Sequence, residues 1–111
     1  MTLSDHQWEF LKDVAKLIQY AQQIDIKLTG GELHRTIEQQ RIYLNNGKSK
    51  TLRSKHLRRL AIDFNFFIDR KLTYTDEKLE LLGVFWENLH PRNRWGGFWK
   101  FKDTPHFERN I

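Results

Sequence analysis

Leu60, Ile62, Phe64, Phe66 and Ile68 fall on every second position of one short run, with Ala61, Asp63, Asn65 and Phe67 between them. Successive side chains of a strand point to opposite faces. The run therefore predicts a β-strand with one bulky apolar face and one mixed face that carries an aspartate. Such a strand needs partners on its edges and an apolar layer over its larger face. The rest of the chain offers both. Over residues 3–24, Trp8, Leu11, Val14, Ala15, Ile18, Ala21 and Ile24 recur at three- and four-residue steps, the period of an amphipathic helix, with Ser4 or Asp5 available as its cap. Residues 26–33 alternate weakly around Gly30 and Gly31, which predicts a short strand interrupted by a bend or bulge.

A second helix is expected from Thr36 or Ile37, with Glu38 in its first turn, ending at Asn45, Asn46 and Gly47. Residues 47–59 are polar, basic and without period, so they predict an exposed loop. Beyond the strand, Asp69, Arg70 and Lys71 read as a turn and residues 75–89 as a helix that Pro91 ends. Residues 92–102 form an aromatic loop with two glycines, and residues 106–109 a last short strand. This mixture predicts an α+β fold in which helices pack against a small antiparallel sheet. A length of 111 residues suits one domain, 1–111, whose core can draw on eight Phe, four Trp and three Tyr.

Composition removes several classes of function. With no cysteine, disulfides and cysteine-rich metal sites are excluded. The first residues mix Asp5, Glu9, Lys12 and Asp13 with apolar ones, unlike a secretory signal, so synthesis in the cytoplasm is expected. The most hydrophobic stretch, residues 60–68, is interrupted by Asp63 and Asn65, so no membrane span is expected. The net charge of +5 favours an anionic partner: nucleic acid, anionic lipid or an acidic polymer such as the bacterial wall. Lys48, Lys50, Arg53, Lys55, Arg58 and Arg59 crowd into twelve positions, which suits either a phosphate grip or a solvated loop.

Two of the five histidines stand out by their neighbours. His56 precedes Asp63 by seven positions, and His106 follows Asp103 by three, with Pro105 between. Two imidazoles and a carboxylate meet the protein-ligand count of a catalytic zinc. Seven residues of helix would separate the two Cα atoms by about 10 Å and seven of strand by roughly 23 Å, so His56 and Asp63 can share a metal only if the chain bends between them. The expected loop-to-strand junction near Arg59 provides a bend. An ionised Asp63 in so apolar a strand needs a counter-charge, which zinc or a salt bridge to Lys55, Arg58 or Arg59 would supply. Asp103 suits a general base beside a metal and equally suits the start of a turn before Pro105. The basic loop would lower the pKa of His56 and favour its neutral, metal-binding form. A non-haem iron site, which also uses two His and a carboxylate, fits poorly, because its usual His-x-Asp pair is far closer in sequence than His56 and Asp63.

The strings around these residues are more specific. Gly31-Glu32-Leu33-His34-Arg35-Thr36-Ile37-Glu38-Gln39-Gln40, Gly47-Lys48-Ser49-Lys50-Thr51, Ser54-Lys55-His56-Leu57-Arg58-Arg59-Leu60-Ala61-Ile62-Asp63 and Asp103-Thr104-Pro105-His106-Phe107-Glu108 resemble the ordered motifs of the M15 peptidase family. The resemblance is closest to its phage and prophage L-alanyl-D-glutamate endopeptidases, which include many endolysins and are related to the D-alanyl-D-alanine carboxypeptidases. It runs over residues 8–108. It implies zinc held by His56, Asp63 and His106, Asp103 as general base, and Arg35 with Gln40 at the substrate, Arg35 also stabilising the developing oxyanion. The implied activity is zinc-dependent hydrolysis of an amide bond in peptidoglycan stem peptides, at the L-alanyl-D-glutamate bond, with D-alanyl-D-alanine carboxypeptidase action as the alternative. The implied partner is a peptidoglycan peptide, not nucleic acid or membrane, met by a monomer after release across the membrane. Arg59 departs from the pattern, because many members carry Gly there; it is expected to narrow the cleft or contact an acidic substrate group such as D-glutamate. The competing reading from another class is a non-enzymatic basic protein that grips nucleic acid through residues 48–59, with salt-sensitive affinity and no response to chelator.

Overall fold

A computed structural model describes residues 1–31 and 55–111, apart from the side chain of His56. The helix expected near residues 36–47, together with Arg35 and Gln40, lies outside the described residues. Helix α1 covers Leu3–Gln23. Its cap is Thr2, two or three positions earlier than the Ser4 or Asp5 expected: the Thr2 hydroxyl accepts from the Asp5 N–H at 3.2 Å, and the Asp5 carboxylate accepts from the Thr2 N–H at 2.9 Å. The buried face is Phe10, Asp13, Val14, Leu17 and Ala21. Trp8, Leu11 and Ile18 share the helical period yet stay exposed, because the stripe through Phe10 and Leu17 is the one that meets the rest of the core.

Strand β1 is Lys27–Gly30, and a single 3-10 turn at Lys55–Arg58 leads into β2, Ala61–Ile68. The period-two reading of this run holds, with Phe64 and Phe66 buried in the core. Asp69 and Arg70 both have positive φ, 52° and 66°, as the tight two-residue hairpin turns require. Lys71 consequently opens a strand, β3 (Lys71–Thr73), where only a turn was expected. Helix α2, Leu79–Leu89, starts four residues later than predicted, after the Asp76 carboxylate accepts the Lys78 N–H at 2.8 Å and shapes a turn before the helix. The aromatic stretch contains β4 (Asn93–Trp95) and a 3-10 turn at Gly96–Phe98; a three-residue strand is too short to show a period. β5 is His106–Arg109, as expected.

All strand pairs among the described residues are antiparallel, in the order β1-β2-β5-β4, with β3 pairing the far end of β2. The α+β expectation is met: α1 and α2 cover one side of the sheet. Phe10 and Phe107 both meet the Trp86 ring edge-on, at centroid distances of 5.6 and 5.8 Å. The Trp86 indole N–H is shared between the carbonyls of Arg94 and Glu108 at 3.2 Å each, which ties α2 to the β4–β5 pair. No helix among the described residues is long and apolar enough to cross a membrane.

Candidate metal centre

β2 and β5 pair in a register that sets Asp63 opposite His106 and Ala61 opposite Glu108. Directly opposed residues of an antiparallel pair project side chains from the same face. Here they meet: His106 Nδ1 lies 3.1 Å from Asp63 Oδ1, and His106 Nε2 lies 2.7 Å from Glu108 Oε1. The imidazole is 8% exposed and Asp63 27%. Trp99 flanks the imidazole, ring centroids 5.2 Å apart.

Each site aspartate is backed by a glycine. Gly31 donates its N–H to the Asp63 carbonyl at 2.8 Å, and a Cβ at Gly31 would overlap that carbonyl. Asp103 donates its N–H to the Gly96 carbonyl at 2.9 Å, and a Cβ at Gly96 would collide with the Asp103 backbone. The turn around Pro105 is closed by the His106 N–H on the Asp103 carbonyl at 3.1 Å. It is anchored by Phe64 N–H on the Pro105 carbonyl at 3.0 Å and by the Trp95 indole on the Thr104 carbonyl at 2.8 Å. Asp103 thus starts the turn, one of the two roles that the sequence left open, and the turn holds it beside the strand end that carries His106. A cavity of about 540 Å³ opens along this turn, lined by Asp103, Thr104 and Pro105 together with Tyr74, Asp76 and Glu80.

Burial by itself would lower the His106 pKa, but the hydrogen bonds and charges of Asp63 and Glu108 outweigh it and raise it to about 9. Among the described residues, two carboxylates flank one imidazole, an arrangement suited to a cation. Two ligand atoms held at about 2.05 Å from a tetrahedral zinc lie about 3.3 Å apart. The 3.1 Å between His106 Nδ1 and Asp63 Oδ1 is close to that separation. The donor pair therefore fits zinc. Among the described residues no group of three His, Cys, Asp or Glu is placed to hold a metal. His56, the third expected donor, has its backbone in the 3-10 turn, and its side chain is outside the described residues.

The bend required between His56 and Asp63 is present: the 3-10 turn ends at Arg58, Arg59 takes a left-handed φ of 56°, and β2 begins at Ala61. Arg59 is exposed at this corner. Its backbone explains why glycine suits the position, since a left-handed conformation is unfavourable for other residues. Lys55 and Arg58, two of the cations considered as partners for Asp63, donate to the backbone oxygen of Ile111 at 3.2 and 3.3 Å. Reasoning from sequence passed over Glu108 as part of this site and took Trp99 only as one ring of an aromatic loop, 95–101, that could wall a cleft or cap the core. Glu108 could have been found, because residues two apart on a strand share a face; nothing in the sequence singles out Trp99 among its aromatic neighbours.

The family model described as D-alanyl-D-alanine carboxypeptidase matches residues 47–109, more than half of the chain. No curated protein matches it. Among solved structures, the Serratia marcescens L-Ala D-Glu endopeptidase ChiX is similar with a TM-score of 0.71 and 27% identity, over 89% of this chain and 79% of that one. The matched segment contains His56, Asp63, Asp103 and His106, while Arg35 and Gln40 precede it. On the fold, the paired Asp63 and His106, and these matches, the chain belongs to the M15 peptidase family.

Proposed function

We propose that this protein is a zinc peptidase of bacterial peptidoglycan that hydrolyses the L-alanyl-D-glutamate bond of the stem peptide. The observation that carries the reading is the Asp63–His106 donor pair at 3.1 Å, one turn from Asp103, in an M15 chain. His56, Asp63 and His106 would hold the metal. Zinc, when bound, supplies Lewis acidity that polarises the scissile carbonyl and eases deprotonation of the attacking water. Asp103 takes the proton of that water as its oxygen bonds to the carbonyl carbon, then returns it to the amine as the C–N bond breaks. Arg35 donates hydrogen bonds to the developing oxyanion or to a substrate carboxylate, Gln40 supports it, and Arg59 reads an acidic substrate group from the rim. The similarity to an L-Ala D-Glu endopeptidase supports the choice of bond.

Trp99 beside His106 and the cavity along Asp103 would line the peptide's path. The reading takes a monomer as the active form, with no nucleic acid or membrane partner. It is tested by digesting purified peptidoglycan with zinc-loaded protein, chelator-treated protein and Asp103→Ala, followed by mass analysis of the new termini. Zinc-dependent appearance of N-terminal D-glutamate supports the endopeptidase. Released D-alanine would instead establish the carboxypeptidase activity for which the matching family model is named. Absence of any zinc-dependent cleavage rejects the enzyme.

A further inference from the structure

We infer that Glu108 is a positioning residue for the metal centre: it accepts the Nε2–H of His106 and so leaves Nδ1, the nitrogen beside Asp63, as the one that binds metal. The inference rests on the zinc reading above and adds a role for a residue outside the expected ligand set. His106 has carboxylate oxygens at both ring nitrogens, and the two distances separate their roles. Nε2 to Glu108 Oε1 is 2.7 Å, a strong hydrogen bond and well short of the about 3.3 Å between two ligands of one tetrahedral zinc. Nδ1 to Asp63 Oδ1 is 3.1 Å, near that separation. Both are hydrogen-bond distances, but only the longer also suits two ligands of one zinc, so Glu108 is the acceptor and Asp63 the fellow ligand in this inference.

The strand pairing explains how Glu108 reaches the ring. His106 and Glu108 project from the same face of β5, and the residue opposite Glu108 is Ala61, whose methyl leaves the carboxylate room to lie along the strand toward His106. Glu108 and His106 are 13% and 8% exposed, so water competes weakly for the bond. An imidazole carries one ring proton when neutral, and fixing it on Nε2 obliges Nδ1 to present its lone pair. Without Glu108 the ring would divide between two tautomers and turn more freely. A carboxylate behind a ligating histidine raises its basicity and orientation in this way, and its removal weakens metal binding about 10- to 100-fold.

The test compares zinc affinity of the full chain and of Glu108→Ala and Glu108→Gln, by competition with a chromophoric chelator. Long-range ¹H–¹⁵N spectra of the zinc-loaded wild-type protein report which ring nitrogen of His106 carries hydrogen. The expected results are a slowly exchanging proton on Nε2, a zinc affinity about 10- to 100-fold lower in Glu108→Ala, and a smaller loss in Glu108→Gln, whose amide oxygen still accepts. Zinc affinity within twofold of wild type in folded Glu108→Ala overturns the inference and leaves the peptidase reading intact. So does a proton found on Nδ1 with Nε2 on the metal, a result independent of whether the variants fold. Failure of the wild-type chain to bind zinc overturns both.

Discussion

Strand β5 carries a polar cluster on each face, and the two are built on opposite terms. Toward the helices, Arg109 pairs with Asp13 of α1 and donates through Nε to Asn93 Oδ1 at 3.0 Å, while Asn93 Nδ2 donates to Asp13 at 3.1 Å and to the Trp86 carbonyl at 3.0 Å. One cation meets one anion, Arg109 is only 2% exposed, and the amide bridges both. On the other face, His106 stands between Asp63 and Glu108, one imidazole against two carboxylates, with Asp63 partly open to solvent. The first cluster is closed in charge and locks α1 to the sheet. Among the described residues, the second sets two carboxylates against one imidazole, an arrangement that a bound cation would suit. Buried polar groups are costly unless matched, so an ion pair bridged by an amide deep in the core reads as architecture, and an imidazole between two carboxylates near the surface reads as a site.

Separate substitutions should divide the two. The largest effect is expected on chemistry: Asp103→Ala should lower peptidoglycan cleavage by about 10²- to 10⁴-fold, the usual contribution of a general base, with zinc affinity unchanged. Cleavage rates and a zinc titration on the same preparation check both halves. On the closed cluster, Arg109→Met strands Asp13 in the interior and should cost about 3–5 kcal/mol in denaturant unfolding. Replacing both partners, Asp13→Leu with Arg109→Met, should recover much of that loss. Recovery of cleavage along with stability would confirm that this face only supports the fold.

On the open cluster the expected signature is pH dependence without metal. His106 has a folded pKa of about 9, raised above its ordinary 6.5, so its contribution is complete below pH 6.5 and is lost as pH climbs through 9. Chelator-treated protein should lose on the order of 3 kcal/mol of stability across that window. In the zinc-loaded protein the loss should be much smaller, because a metal takes the place of the proton; parallel melting curves with and without chelator would decide. The smallest effect is at the corner before β2. Arg59→Gly should stabilise the fold by about 1 kcal/mol by relieving the left-handed backbone, while changing the preference among wall peptides. An unchanged preference would remove Arg59 from the substrate site.

The parts legible in the sequence are those with a period or a covalent neighbourhood. β2 announced itself by alternation, β5 followed from the turn at Pro105, and α1 from its helical repeat. The bend between His56 and Asp63 was also expected, and Arg59 supplies it; the pairing of Asp63 with His106 is made by the β2–β5 register, which no local pattern announces. What escaped was set by tertiary contacts. Trp8, Leu11 and Ile18 repeat as regularly as the buried stripe of α1, and only the position of the sheet and α2 selects Phe10, Val14 and Leu17. Asp13 looks like a surface charge until Arg109 arrives from 96 residues away. β3 and β4, three residues each, hold their places through ladder partners and not through propensity.

The account turns on whether the open face of β5 holds a metal. Zinc titration of the chelator-stripped chain and of Asp63→Ala, with circular dichroism on both, tests this most directly. The prediction is one zinc per wild-type chain and at least a hundredfold weaker binding in Asp63→Ala at unchanged secondary structure, since removing one of three ligands leaves an incomplete site. A wild-type chain that takes up no zinc, or an Asp63→Ala chain that binds it equally well, would contradict the account.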